Sequence, residues 1–215
     1  HLNQKNLGTT PLVLIDRNLP SMPYSSITTG DYDGAIEAVK FAFDKGHRDM
    51  GFVVAVPQLV GSTRTRPHIP ISTVEDRTKG FEAAIKKLKV KNTMVFCEDS
   101  QEGAEAAVEA LLSTKNHPSI LFTSNNDMLL AVLRVAGKLS IQIGKDLSVI
   151  SFDDSPWAAA MSPAITVIAR PVDELGRQAV DMLLNQIGDG KVNDSVVLPT
   201  ELIIRDSVRE ISVNR

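Results

Sequence analysis

The sequence predicts an α/β fold of the doubly wound kind, with a buried parallel sheet and helices on both faces. Three observations carry that expectation. Short runs such as Met50 to Val56, Thr93 to Cys97 and Leu147 to Phe152 are apolar at most positions, as strands covered on both faces are. Stretches of helical period alternate with these runs along the chain. Aromatic residues make up only 5% of the 215 residues, so the core is built from Val, Ile, Leu and Ala.

The totals narrow the function classes. Hydrophobic residues are 43%, charged residues 23% and the net charge is −3, an ordinary composition for one large or two small globular domains. A mildly acidic chain has no electrostatic footprint for nucleic acid. No apolar run is long enough to span a membrane. The single cysteine, Cys97, excludes an internal disulfide and is compatible with a reducing cytosol. No basic-then-apolar leader opens the chain, so the expectation is a cytoplasmic protein.

Taken in order, residues 1–10 read as a helix end and a Gly-Thr-Thr loop, and Leu12 to Ile15 as a short strand closed by Asp16. A proline-bearing loop returns at Ile27 to Thr29. Asp31 reads as the N-cap of a helix that buries Ala35, Val39, Ala42 and Phe43 and stops at Gly46 in a C′ position. The strand at 50–56 leads into a long loop over 57–73. Ser72 with Glu75, or Thr73 with Asp76, has capping-box spacing for the next helix, which places Arg77 in the first turn. A cation there opposes the helix dipole, so Arg77 suits either an ion pair with Glu75 or Asp76 or a ligand.

The strand at 93–97 ends in Glu98 and Asp99. The helix after Ser100 buries Ala104, Ala107, Val108 and Leu111. The strand at 119–123 runs into Ser-Asn-Asn-Asp, where Asn125 reads as a ligand amide or as the cap of the helix carrying Met128, Ala131, Val132 and Val135. The strand at 147–152 ends in Asp153 and Asp154. In open α/β sheets ligands bind past the carboxyl ends of strands, yet Asp-Asp-Ser-Pro is equally good turn chemistry. Trp157 follows, a stacking surface for a sugar or a packing residue. After a strand at 165–168, Pro171 suits position N1 of a last helix that buries Leu175, Ala179, Met182, Leu183 and Ile187 and ends at Gly188-Asp-Gly190. Strands at 196–198 and 202–204 close the chain.

SVISFDDSPWAAAMSPAITVIARPVDELG at 148–176 resembles the core signature of the LacI/GalR family of bacterial transcription regulators. PLVLIDR at 11–17, AVKFAFDKGHRDMGFV at 38–53, DRTKGFEAA at 76–84, SNNDMLLAVLR at 124–134 and VVLPTELIIRDS at 196–207 match it in order. The resemblance is to the effector-binding domain of that family. It implies a periplasmic-binding-protein-like fold of two doubly wound parallel-sheet lobes joined by three crossings, with the effector between them. On that pattern residues 1–29 and 172–199 form an N-terminal lobe, and residues 30–169 and 200–210 form the C-terminal lobe. The further expectation is that the N-terminal lobe is incomplete and that no DNA-binding domain is present.

The resemblance also assigns the pocket residue by residue. It places Asp16 on the N-terminal lobe, and Arg77 as the arginine that clamps the effector. Asn125 takes the place of the family's ligand asparagine, with Asn126 as a departure in the second position. Asp153 is an acceptor for effector hydroxyls. Glu98 stands where many members carry a stacking aromatic, and Trp157 is its possible replacement. Arg170 lies on a crossing segment. Such a set suits a neutral, hydroxyl-rich ligand, hence a sugar that shifts a homodimer between DNA-binding states. Operator DNA would be bound only through a helix-turn-helix domain outside this sequence. The alternative is a periplasmic sugar-binding protein of an uptake system. No Gly-rich phosphate loop, nucleophile elbow or zinc-ligand spacing occurs, so no enzyme, no cofactor and no metal is expected.

Overall fold

The computed structural model describes residues 10–19, 22, 24–189 and 194–212. The helix end expected over residues 1–10 lies almost wholly outside these, as does Gly190. The chain builds two sheets. The larger is 7-stranded, in the order β10-β8-β7-β6-β3-β5-β4. Its strands are β3 (Asp49–Val56), β4 (Ser62–Thr63), β5 (Lys91–Glu98), β6 (Ile120–Thr123), β7 (Ser148–Phe152), β8 (Thr166–Ala169) and β10 (Glu201–Ile203). The smaller is 3-stranded and parallel, joining β1 (Val13–Ile15), β2 (Ser25–Thr29) and β9 (Val196–Leu198).

The expected parallel arrangement holds for the five central strands of the large sheet. Its two edges differ: β10 runs antiparallel to β8, and β4 antiparallel to β5. β4 interrupts the loop expected over 57–73.

Alternation along the strands sorts the core onto two faces. Met50, Phe52, Val54, Phe96, Phe122, Ile150 and Phe152 point one way, into α1 (Asp31–Asp44) and α2 (Ser72–Leu88). Val53, Ala55, Val95, Cys97, Leu121 and Val149 point the other way, into α3 (Gln101–Leu112) and α4 (Asn126–Lys138). The apolar stripes expected on these helices are buried, Ala104, Ala107, Val108 and Leu111 on one and Met128, Ala131, Val132 and Val135 on the other. A third cluster, of Ile27, Leu175, Ala179, Met182 and Leu198, packs α6 (Val172–Asp189) on the small sheet.

Several helix ends depart from the expectation. Gly30 is the N-cap of α1, so Asp31 is its first residue, and its carboxylate is buried in other work. Gly46 does take the left-handed conformation after that helix, at φ +92°. Neither capping box opens α2. Ile71 caps it without a side-chain bond, Ser72 Oγ accepts from Asn18 N–H at 2.8 Å, and Glu75 pairs with Arg66. With the helix starting at Ser72, Arg77 lies in its second turn. Pro171 stands one residue before α6, its carbonyl accepting from Leu175 N–H. Ile187 faces solvent at 62% exposure, because the small sheet offers too little surface to cover it; Gln186 is the buried residue there.

The two sheets are connected at three places: Gly30 between β2 and α1, Arg170 and Pro171 between β8 and α6, and Pro199 and Thr200 between β9 and β10. Gly30 N–H donates to the Leu198 carbonyl at 2.8 Å, so two of the crossings are bonded to each other.

Candidate functional site at the strand ends

β3 and β6 are neighbours, but the chain leaves β3 toward β5 on one side and returns to β6 on the other. This reversal opens a crevice at the carboxyl ends of the strands. Ser124, just past β6, lines it. Its N–H donates to the Val53 carbonyl and its hydroxyl accepts from Ala55 N–H, both at 3.0 Å. Its carbonyl is left for a third partner, Arg77 Nη1, at 2.5 Å.

Arg77 begins a chain of alternating charges. Its Nε donates to Asp31 Oδ1 at 2.6 Å, and Nη1 lies 3.8 Å from Asp153 Oδ2. Its guanidinium sits over the Phe152 ring, 4.5 Å from the centroid. Asp31 also accepts from Thr29 Oγ1 at 2.6 Å. Asp153 Oδ1 accepts from Arg170 Nε at 2.5 Å, and Arg170 Nη1 donates to Asp16 Oδ1 at 2.5 Å. The order is therefore Thr29, Asp31, Arg77, Asp153, Arg170, Asp16. It begins and ends on segments of the small sheet and passes through the large one.

Backbone geometry aims the carboxylates. Asp16 and Asp153 each end a strand in the left-handed region, at φ +56° and +70°. Asp16 N–H donates to Ile27 and Asp153 N–H to Ile168, so each still closes its ladder before turning. Aspartate tolerates this conformation better than most residues, though at some cost in strain. For Arg170, burial works against the charge, but Asp153 and Asp16, with Asp31, outweigh it and hold the guanidinium above its ordinary value. Asp154 points elsewhere. It takes both terminal nitrogens of Arg205, at 2.9 and 2.7 Å, and that bond holds its carboxyl below the usual range.

Of the residues singled out from the sequence, Asp16, Arg77, Asp153 and Arg170 converge. Glu98, Asn125 and Trp157 do not join them. Glu98 ends β5 with its N–H on the Gly61 carbonyl, and its carboxylate makes no ion pair among the described residues. Asn125 is the N-cap of α4, its Oδ1 accepting from Met128 N–H at 2.9 Å. Trp157 sits in the short helix α5 (Pro156–Ala160) and is half-exposed. The sequence reading missed Asp31 as a member of the network. An aspartate before an apolar helical stripe reads most simply as an N-cap, which hid its pairing with Arg77. Among the described residues no group of three or more His, Cys, Asp or Glu is placed to hold a metal ion, and no helix is long and apolar enough to cross a membrane.

Comparison with known proteins puts this geometry in context. Residues 39–208 match the periplasmic binding protein-like domain family. The probable HTH-type transcriptional repressor ExuR of Bacillus subtilis is 26% identical over 216 residues, covering 99% of this chain and 60% of its own length. A probable opine utilization operon repressor of Rhizobium rhizogenes is 29% identical over 191 residues, or 86% of this chain and 93% of that protein. The chain spans 60%, 58% and 57% of three such regulators. Among solved structures, a LacI family regulator of Enterococcus faecium with bound ribose aligns at a TM-score of 0.83 and 20% identity, over 97% of this chain and 75% of that one. A putative transcription regulator of Staphylococcus saprophyticus aligns at 0.76 and 28% identity, over 91% and 69%.

Proposed function

The chain belongs to the periplasmic binding protein-like domain family, and from that premise we propose that it is the effector-sensing part of a LacI-type bacterial transcription regulator. The effector is a sugar held between the two sheets. The observation that carries this reading is the Arg170 bridge, which ties Asp16 of the small sheet to Asp153 of the large one. A hydroxyl-rich ligand touching both carboxylates binds best when the two sheets are near each other. It therefore shifts the population toward that arrangement. In a homodimer the shift would reach a helix-turn-helix region of the full-length protein and change its hold on operator DNA in the cytoplasm. A cavity of about 340 Å³ lies along the crossings, lined by Arg170, Pro171, Leu198 and Thr200.

The relatives named above are repressors, and two LacI family structures with this fold hold ribose and lactose. The site chemistry also favours binding over catalysis. Asp16 and Asp153 are both engaged by the Arg170 guanidinium, an arrangement that orients carboxylate oxygens as acceptors for hydroxyls.

A thermal-shift screen against pentoses, hexoses, disaccharides, sugar phosphates and nucleobases tests the proposal. A sugar at a hundredfold over its Kd stabilises the fold by about 2.7 kcal/mol. The expected result is one sugar that raises Tm, with the rise reduced in Asp153→Asn and in Asp16→Asn. A screen in which no sugar raises Tm, or in which the rise survives both substitutions undiminished, overturns it.

A further inference from the structure

We propose that Arg170 sets which sugars the cleft accepts, by supplying from the protein the positive charge that Asp16 and Asp153 would otherwise draw from a ligand. The proposal rests on the sugar-sensing reading and concerns the same site. It starts from a charge count. Asp16, Asp31 and Asp153 stand in the network against Arg77 and Arg170, which leaves one negative charge over. Arg77 is committed: its side chain is 4% exposed, locked between Asp31 and the Ser124 carbonyl. Arg170 is therefore the cation that answers Asp16 and Asp153, the two carboxylates with exposed surface, 31% and 19%.

The other charges near the strand ends do not change the balance. Arg205 is taken up by Asp154. Arg66 is held by Glu75 and Glu82. Arg17 is exposed and turns onto the Asp16 carbonyl rather than its carboxylate. Glu98 adds a carboxylate at the end of β5 that makes no ion pair among the described residues. Burial above all pushes Asp76 up, with Asp31 and Glu75 adding to it against Lys79. Asp99 is likewise pushed up by burial and by Asp127.

Three ligand classes then fare differently. A uronate or sugar phosphate adds an anion where carboxylates already outnumber cations. An amino sugar brings an ammonium that competes with Arg170 for the same oxygens. A neutral sugar needs neither displacement nor a counter-charge, because Arg170 engages only one oxygen of each carboxylate and the other can accept a hydroxyl. Its fork reaches the two acids through different nitrogens, Nε and Nη1, which one lysine Nζ cannot reproduce. Lysine would still keep the charge.

The test is isothermal titration with matched triplets: glucose, glucosamine and glucuronate, and the same three forms of galactose and of mannose. The wild-type chain is expected to bind a neutral member most tightly and its uronate least. In Arg170→Gln, the preference for the neutral over the amino member falls by about tenfold or more, while Arg170→Lys keeps the wild-type order. Asp16→Asn, with Arg170 intact, moves the balance the other way, and the uronate gains by about tenfold relative to its parent. That variant keeps the proposal testable if Arg170→Gln does not fold, which a thermal melt reports. An unchanged preference in Arg170→Gln, an equal shift in Arg170→Lys, an unmoved uronate in Asp16→Asn, or a uronate that binds wild type as tightly as its parent each overturns the assignment. Binding of none of the nine, with no sugar raising Tm in the thermal-shift screen, overturns the sugar reading beneath it.

Discussion

Asp31 and Arg77 meet at 2.6 Å with side chains 0% and 4% exposed, an ion pair shut inside the molecule between the start of α1 and the second turn of α2. Every oxygen of Asp31 has a donor, since Thr29 fills the second one. Removing one partner of such a pair leaves a buried charge unanswered, which costs far more than the pair itself is worth. Asp31→Ala is therefore expected to lower stability by about 3–5 kcal/mol, read from urea unfolding. Asp31→Ala with Arg77→Met should cost clearly less than the two single losses added together. Strict additivity would mean that the pair is not coupled.

Close approach of the same two helices makes a second prediction. A Cβ on Gly80 would stand 2.2 Å from the Tyr32 carbonyl oxygen and 2.9 Å from Ala35 Cβ, and the first of these is backbone that cannot step aside. Gly80→Ala is expected to destabilise by about 1–3 kcal/mol through overpacking. Gly176, within α6, has nothing inside 4 Å of the same atom. Gly176→Ala should be stabilising by about 0.5–1 kcal/mol, because alanine is the better helix former. Thermal melts of the two variants should move in opposite directions.

Stability should fall on mild acidification, through His47. The ring is fully buried, with Nδ1 2.7 Å from Ser119 Oγ and Nε2 3.3 Å from the Arg209 carbonyl. Burial is the main cause that lowers its pKa to about 4; the Arg209 carbonyl works the other way and nearby Arg209 and Arg48 charges add to the lowering. The neutral ring is the folded form, so the unfolded chain takes up the proton first. His47 therefore contributes fully above pH 6.5, and its contribution is lost as pH falls from 6.5 toward about 4. The slope approaches about 1.4 kcal/mol per pH unit in that window and levels off below it. His47→Gln should flatten the dependence of the urea midpoint between pH 7 and pH 4.5; an unchanged slope would remove His47 from the account.

Cys97 should be silent to thiol reagents in the folded protein. Its Sγ is buried against the Val54 carbonyl and Met128 Sδ, and burial, with Asp99, pushes the thiol up to about 12. Since the thiolate is the reactive form, a chromogenic disulfide reagent should label it only after unfolding. Labelling at native rates faster than unfolding would contradict this placement.

Much of the large sheet is legible before any coordinates. Runs of apolar residues mark β3, β5, β6 and β7, and the stripes on α3 and α4 are buried where the helical period puts them. These signals are local, because burial on both faces removes the need for polar alternation and a helix repeats its face every few residues. Asp16, Asp153 and Arg170 could be picked out for a related reason: each lies beside a strand end or on a crossing, and strand ends can be read from the same runs; Arg77 stood out as a cation near a helix start. The partners of the Asp31, Ser72 and Glu75 side chains could not be read this way. Each sits at a helix start, where capping is the nearest use for a polar side chain, and each is drawn off by a partner distant in sequence.

The sequence by itself determined the main strands, the five long helices, most of their buried faces and most of the charged residues that the network uses. Only the tertiary structure decided which of those charges meet. Glu98, Asn125 and Asp153 all follow apolar strands and look alike on that ground, yet only Asp153 enters the network. Its left-handed backbone, the path of the crossing that carries Arg170, and the distance to Asp16 on another sheet choose it. An ion pair depends on a few ångströms between atoms up to 154 positions apart in the chain. Periodicity carries no information on that separation; the packing of two sheets against shared crossings does.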